Sequence, residues 1–203
     1  MITLNEHYDS LNINIKEGHT QQAIRETAVL KNLVNNENIL NVMEIGFNGG
    51  HSAETFLSEN PNINLVSFDI GAHDYLRVGK EFIDTHYPNR HELIIGNSLL
   101  TVPKYADNSN TKFDLIFVDG GHKYHVAKSD LINCSRLAHK DTILVMDDVV
   151  TLEKRIEKWN EGPNKAWYEL VNNKFIQEEG QQNFSKGHGI AWGKYSKDSF
   201  TTV

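Results

Sequence analysis

Residues 113–131 read FDLIFVDGGHKYHVAKSDL, and the run from Leu115 to Val118 is apolar without a break. Such a run predicts a strand buried on both faces, as in a parallel sheet, and not the alternating pattern of a half-solvated one. It stops at Asp119-Gly120-Gly121-His122, after which VAKSDLINCSRLA (126–138) predicts a helix. Strand, glycine turn and helix in succession are the first half of a βαβ unit. A strand can end with glycine, asparagine or proline alone. A carboxylate and an imidazole three residues apart at its end call for a chemical reason.

Working outward, four further runs have the same character: NVMEIGF (41–47), NLVSFDI (64–70), HELIIGN (91–97) and TILVMDD (142–148). SAETFLSEN (52–60) and YLRVGKEFIDTHY (75–87) predict helices between them, and ADNSNTK (106–112) a polar loop. This rhythm predicts one α/β, doubly wound and mostly parallel sheet with right-handed crossovers. Ahead of it, TQQAIRETAVLKNLVNN (20–36) predicts a helix with Ala23, Ile24, Leu30 and Leu33 at roughly helical spacing. Behind it, TLEKRIEKWNEG (151–162) and PNKAWYELVNN (163–173) predict two helices broken at Gly162-Pro163. KFIQEEG and GHGIAWGKYS then predict a closing antiparallel pair. The expected organisation is a single domain over 1–203: a helical segment 1–35, a core 36–150, and closing helices and strands 151–203.

The 203 residues are 39% hydrophobic and carry a net charge of -7, which suits a globular chain and argues against a general nucleic-acid or anionic-membrane binder. No apolar run approaches the roughly 20 residues that span a bilayer. The single cysteine, Cys134, gives no intrachain disulfide framework and fits a reducing compartment, so the expected location is cytoplasmic.

EIGFNGGHSAETFL links the first strand to a helix. Gly46, Gly49 and Gly50 let the backbone turn sharply and approach a ligand, and the N–H groups opening the helix suit a phosphate or carboxylate. Asp69 ends the next strand roughly 20 residues on, where a doubly wound fold places a carboxylate against ribose hydroxyls. The turn reads G-x-x-G-G, not the G-x-G-x-x-G of nicotinamide dinucleotide sites. Gly96-Asn97-Ser98 ends the third strand, where an adenine ring could be read.

Asp119 ends the fourth strand; Asp147 and Asp148 end the fifth. If these strands are neighbours, three acids crowd one crevice, where at least one pKa rises unless a hard cation such as Mg²⁺ relieves the repulsion. His122 is placed to act as general base. The competing expectations are plain: Asp-Gly-Gly as a turn, and Asp147-Asp148 as a helix cap. His51 is expected as a wall of the cofactor pocket and His188 as part of the closing strand pair. Trp159, Trp167 and Tyr168 are expected in helix packing or along an acceptor pocket.

EIGFNGGHSAETF, FDI, GNS, DLIFVDGGHKY and ILVMDDV stand in the order and spacing of class I S-adenosylmethionine-dependent methyltransferases. The chain resembles their metal-dependent O-methyltransferases, of the catechol and particularly the macrolide-sugar type, from about Thr20 to Tyr195. The resemblance implies a Rossmann-like, seven-stranded sheet of order 3-2-1-4-5-7-6 whose last strand is antiparallel. It implies S-adenosylmethionine bound by Glu44, Gly46, Asn48, Gly50, Ser52, Asp69, Asn97, Ser98 and Asp119. Asp119, Asp147 and Asp148 match the ligands of a divalent metal, magnesium first, and His122 matches the base of the macrolide-sugar type. The implied partner is a small-molecule acceptor with a sugar or phenolic hydroxyl; a homo-oligomer is compatible with this pattern. Two rival functions are a non-catalytic S-adenosylmethionine-binding module and an NAD(P)-dependent oxidoreductase, the latter disfavoured by the glycine pattern.

Overall fold

The computed structural model describes residues 2–15, 23–151, 156–184 and 187–197. In chain order its elements are α1 (Leu4–Ser10), α2 (Ala23–Val34), β1 (Asn41–Ile45), α3 (His51–Glu59), β2 (Asn64–Asp69), α4 (Tyr75–His86), β3 (His91–Ile95), α5 (Ser98–Asn108), β4 (Phe113–Val118), α6 (Tyr124–Ser135), β5 (Ala138–Asp147), α7 (Glu161–Asn172), β6 (Ile176–Asn183) and β7 (Gly189–Tyr195). The seven strands form one sheet in the order β3-β2-β1-β4-β5-β7-β6. β1 to β5 pair in parallel, and β7 runs antiparallel to both of its neighbours. Fold class and strand order are as the sequence predicts.

Because the near-continuous apolar strands expose side chains alternately on both faces, the sheet carries two cores. Val42, Leu115, Phe117 and Val145 pack with helices α1 to α4 on one face. Met43, Ile116, Val118, Leu144 and Met146 pack with α5 to α7 on the other. The same alternation continues past the strand ends. Val118 pairs with Met146 across β4 and β5, so the next residues, Asp119 and Asp147, turn toward the face that holds α2 and α3.

Several predicted elements differ from the observed ones. Residues 98–108 form α5, which absorbs Ala106 to Asn108 of the expected loop; Asn97 caps it, its side chain accepting from the Leu99 N–H. β5 begins at Ala138, four residues early, where Phe113 pairs with it. Gly162-Pro163 does not break a helix but sits in the first turn of α7, where proline's missing N–H costs nothing. Residues 156–160 are not helical, and the remainder of that expected helix, 152–155, lies outside the described residues, as do 20–22. On α2 the buried face is Val29, Leu30 and Val34, while Ile24 is 75% exposed. Among the described residues, no helix is long and apolar enough to cross a membrane.

Candidate active site

The glycine turn and the carboxylates meet at the C-terminal edge of β1, β4 and β5. Gly46, at φ +102°, is needed twice over. Its backbone lies in the left-handed region, and a Cβ there would stand 1.9 Å from the Asp119 carbonyl oxygen. The end of β1 can therefore approach the end of β4 only without a side chain. Gly162 plays the same part on the other flank, where a Cβ would stand 2.1 Å from the His122 carbonyl oxygen. The start of α7 thus rests directly on the 122–124 backbone.

Gly50, at φ +88°, stands at the N-cap of α3 and makes no side-chain hydrogen bond there, so the first turn of that helix opens on the glycine turn. Asp69 borders the same turn: its Oδ2 accepts from the Asn48 N–H at 2.8 Å and its Oδ1 from the Gly71 N–H at 2.7 Å. Asn48 itself is in the left-handed region, φ +48°. Glu44 is fully buried, and its two oxygens accept from Ser52 Oγ and Ser67 Oγ, both at 2.6 Å. Burial raises its pKa to about 7 against the pull of those two hydroxyls. Glu44 and Ser52 therefore brace the turn through each other. Asn97 is engaged as the α5 cap, and Ser98 lies beside the buried carboxyl of Asp130. A helix N-terminus beside close-approach glycines, with Asp69 alongside, is the chemistry that a cofactor bearing a carboxylate and a ribose needs.

One oxygen each of Asp119 and Asp148 and one ring nitrogen of His122 lie within 4.8 Å of one another. Carboxylate oxygens this close can converge on a single divalent ion after small side-chain rotations, with the imidazole at its border. Asp147 lines the same cavity, of about 10 Å³, but stands outside that cluster among the described residues; it shares a hydrogen bond with Asp119 instead. Burial, then Asp148, pushes Asp119 well above the carboxylate range; burial, then Glu26, does the same to Asp147. Two acids facing each other across β4 and β5 must hold a proton between them unless a cation takes its place. That donor set and that repulsion fit a divalent ion.

Asp148 behaves in the opposite way. Burial would raise it, but His122 Nε2 at 3.1 Å from Oδ2 and His188 Nδ1 at 3.5 Å from Oδ1 hold it below its ordinary value. Its backbone is left-handed, φ +61°, and its carbonyl accepts from Asn164 Nδ2 at 2.9 Å. Non-glycine residues held at such angles cluster at functional sites. The indole of Trp159 lies against both imidazoles, 4.6 Å from His188 and 6.1 Å from His122 between ring centroids. Trp167 is fully buried in the core and Tyr168 donates to the Val150 carbonyl, so of the three predicted aromatics only Trp159 borders the cluster. His51 stacks on Tyr8 and contacts Asn5.

Two members of the site lie outside the motifs read from the sequence. Glu26, on α2, adds a fourth carboxyl, pushed up to about 7 by burial and by Asp148. His188, expected only in the closing strand pair, reaches the cluster from the turn before β7. The phrase GHG around it, which repeats the glycine–histidine pairing of 120–122, was the one available hint.

Residues 43–149 match the family model described as a methyltransferase domain. No curated protein matches the chain by sequence. Among solved structures, the chain is similar to an O-methyltransferase from Bacillus cereus in complex with SAH, at 18% identity and a TM-score of 0.75, covering 95% of this chain and 90% of that one. It is similar to TomG, an O-methyltransferase from Streptomyces achromogenes involved in tomaymycin synthesis and bound to SAM, at 16% identity, TM-score 0.74 and coverage of 95% and 87%. It is also similar to CalS11, a TDP-rhamnose 3'-O-methyltransferase of calicheamicin biosynthesis, at 21% identity, TM-score 0.67 and coverage of 95% and 87%.

Proposed function

The chain belongs to the methyltransferase-domain family, and on that premise we propose that it is an S-adenosylmethionine-dependent O-methyltransferase using a divalent cation, magnesium first, to methylate a sugar or phenolic hydroxyl of a small molecule. The observation that carries the proposal is the clustering of Asp119, His122 and Asp148 beside the glycine-bounded N-terminus of α3. One of the similar proteins, CalS11, is by its name a methyltransferase of TDP-rhamnose, a small molecule, which favours an acceptor of that kind over a nucleic acid. Family membership displaces the nicotinamide alternative.

When bound, S-adenosylmethionine would supply the electrophilic methyl group and the cation a Lewis acid for an oxyanion. Gly46, Asn48, Gly50 and the first turn of α3 would hold the methionine end of the cofactor, and Asp69 the ribose. Glu44 and Ser52 would keep that turn rigid, and Asn97 and Ser98 would border the adenine. Asp119 and Asp148, with Asp147 behind them, would hold the cation. His122 would take the acceptor proton, and Asp148 Oδ2, 3.1 Å from Nε2, would stabilise the imidazolium that results. Much of the rate would come from aligning acceptor oxygen and methyl in one crevice.

Calorimetry with S-adenosylhomocysteine tests the cofactor assignments. Wild type and Asp119→Ala should bind it comparably, and Asp69→Ala should bind at least tenfold more weakly, since a charge-assisted hydrogen bond of about 1.5–3 kcal/mol is lost. Binding of NAD(P) in its place would overturn the proposal.

A further inference from the structure

We propose that His188, immediately before β7, is a positioning residue for methyl transfer: with His122 it fixes the plane of the Asp148 carboxylate that faces the cation position. The inference rests on the proposed function and adds a residue that neither the sequence motifs nor the family match assigns.

Asp148 is gripped at both oxygens by imidazoles from different parts of the chain, His122 at Oδ2 and His188 at Oδ1, 3.1 and 3.5 Å away. A carboxylate restrained at one oxygen still rotates about its terminal torsion, which is broad and soft; restraint at two oxygens fixes its plane. The residues on either side of His188 are themselves anchored, Gly189 to the end of β5. The Val149 N–H donates to the Gly189 carbonyl at 3.0 Å, and Asn160 Nδ2 donates to the Gly187 carbonyl at 2.6 Å. Gly189 permits this contact, because a Cβ there would stand 2.3 Å from the Val149 carbonyl oxygen. Trp159 packs against the His188 ring at 4.6 Å and limits where the imidazole can go. Groups that orient metal-ligating side chains in this way are typically worth about 10–100-fold in metal affinity or activity.

The experiment compares wild type with His188→Phe, which keeps an aromatic ring against Trp159 but no nitrogen, and His188→Asn, whose amide nitrogen can take the place of Nδ1. Mn²⁺ binding is followed by electron paramagnetic resonance in the absence of acceptor, and kcat and KM for S-adenosylmethionine are measured separately. Expected are a Mn²⁺ affinity at least about tenfold weaker in His188→Phe, a lower kcat with KM for S-adenosylmethionine unchanged, and substantial recovery of both in His188→Asn. If His188→Phe does not fold, His188→Ala takes its place with the same readouts. A ring-preserving variant that binds Mn²⁺ and turns over like wild type would overturn the role of His188 alone. A wild-type protein that binds no Mn²⁺ would defeat the metal-dependent function and this inference together.

Discussion

Asp119 and Asp147 confront each other because β4 and β5 are neighbours in register, and a proton or a cation must stand between them. That has a consequence for stability. Asp119 and Asp147 are raised well above their ordinary values, and Glu26 and Glu44 to about 7. In the unfolded chain all four ionise near pH 4. Between roughly pH 4 and 7 the folded state therefore holds protons that the unfolded state has released, and stability falls as pH rises. Asp148, lowered by its histidines, acts in the opposite sense but only below its unfolded pKa, outside this window. Metal-free protein should thus melt at a lower temperature at pH 8 than at pH 5, and Mg²⁺ or Mn²⁺ should recover part of the loss. Glu26→Gln should raise the pH 8 melting temperature by roughly 2–4 °C and leave the pH 5 value nearly unchanged. A flat profile by scanning calorimetry would contradict this electrostatic account. At this scale Asp119, His122 and Asp148 were legible, because each ends a recognisable strand or starts the turn after it. The different posture of Asp147, which lies outside the cluster of Asp119, His122 and Asp148, was not. Glu26 and His188 lay outside the motifs, because each enters the site only through the packing of a distant segment.

Among elements, the five parallel strands were legible as short apolar runs, and their buried faces account for the two cores. What failed was the reading of proline and polar residues as boundaries. Pro163 lies in the first turn of α7, where backbone N–H groups are expendable, and the polar residues 106–108 belong to α5. The contact of α7 with the 122–124 backbone shows what packing demands at Gly162. In an exposed helix interior alanine is better than glycine by about 1 kcal/mol, yet a Cβ here would collide with the His122 carbonyl 2.1 Å away. Gly162→Ala should therefore destabilise the protein, by roughly 1–3 kcal/mol in urea titration, and reduce kcat through displacement of the His122 turn. Unchanged or increased stability with full activity would mean that α7 does not set the position of His122.

For the whole molecule, the sheet order brings the glycine turn of β1 and the acids of β4 and β5 to adjacent points on one edge, and the antiparallel β7 returns His188 to the same place. Glycine turn, acid cluster and histidines are joined by backbone contacts too close for side chains, so the site is a property of the sheet edge rather than of any one loop. The central claim is that this edge transfers a methyl group with the help of a cation. The most direct measurement follows radiolabelled methyl transfer from S-adenosylmethionine to a panel of sugar nucleotides and catechols, for wild type with Mg²⁺, wild type with EDTA, and Asp119→Ala. The account predicts label on a hydroxyl in the first case and a loss of at least about a hundredfold in the other two, the scale of several kcal/mol of transition-state stabilisation. Equal transfer in EDTA, or by Asp119→Ala, would contradict it.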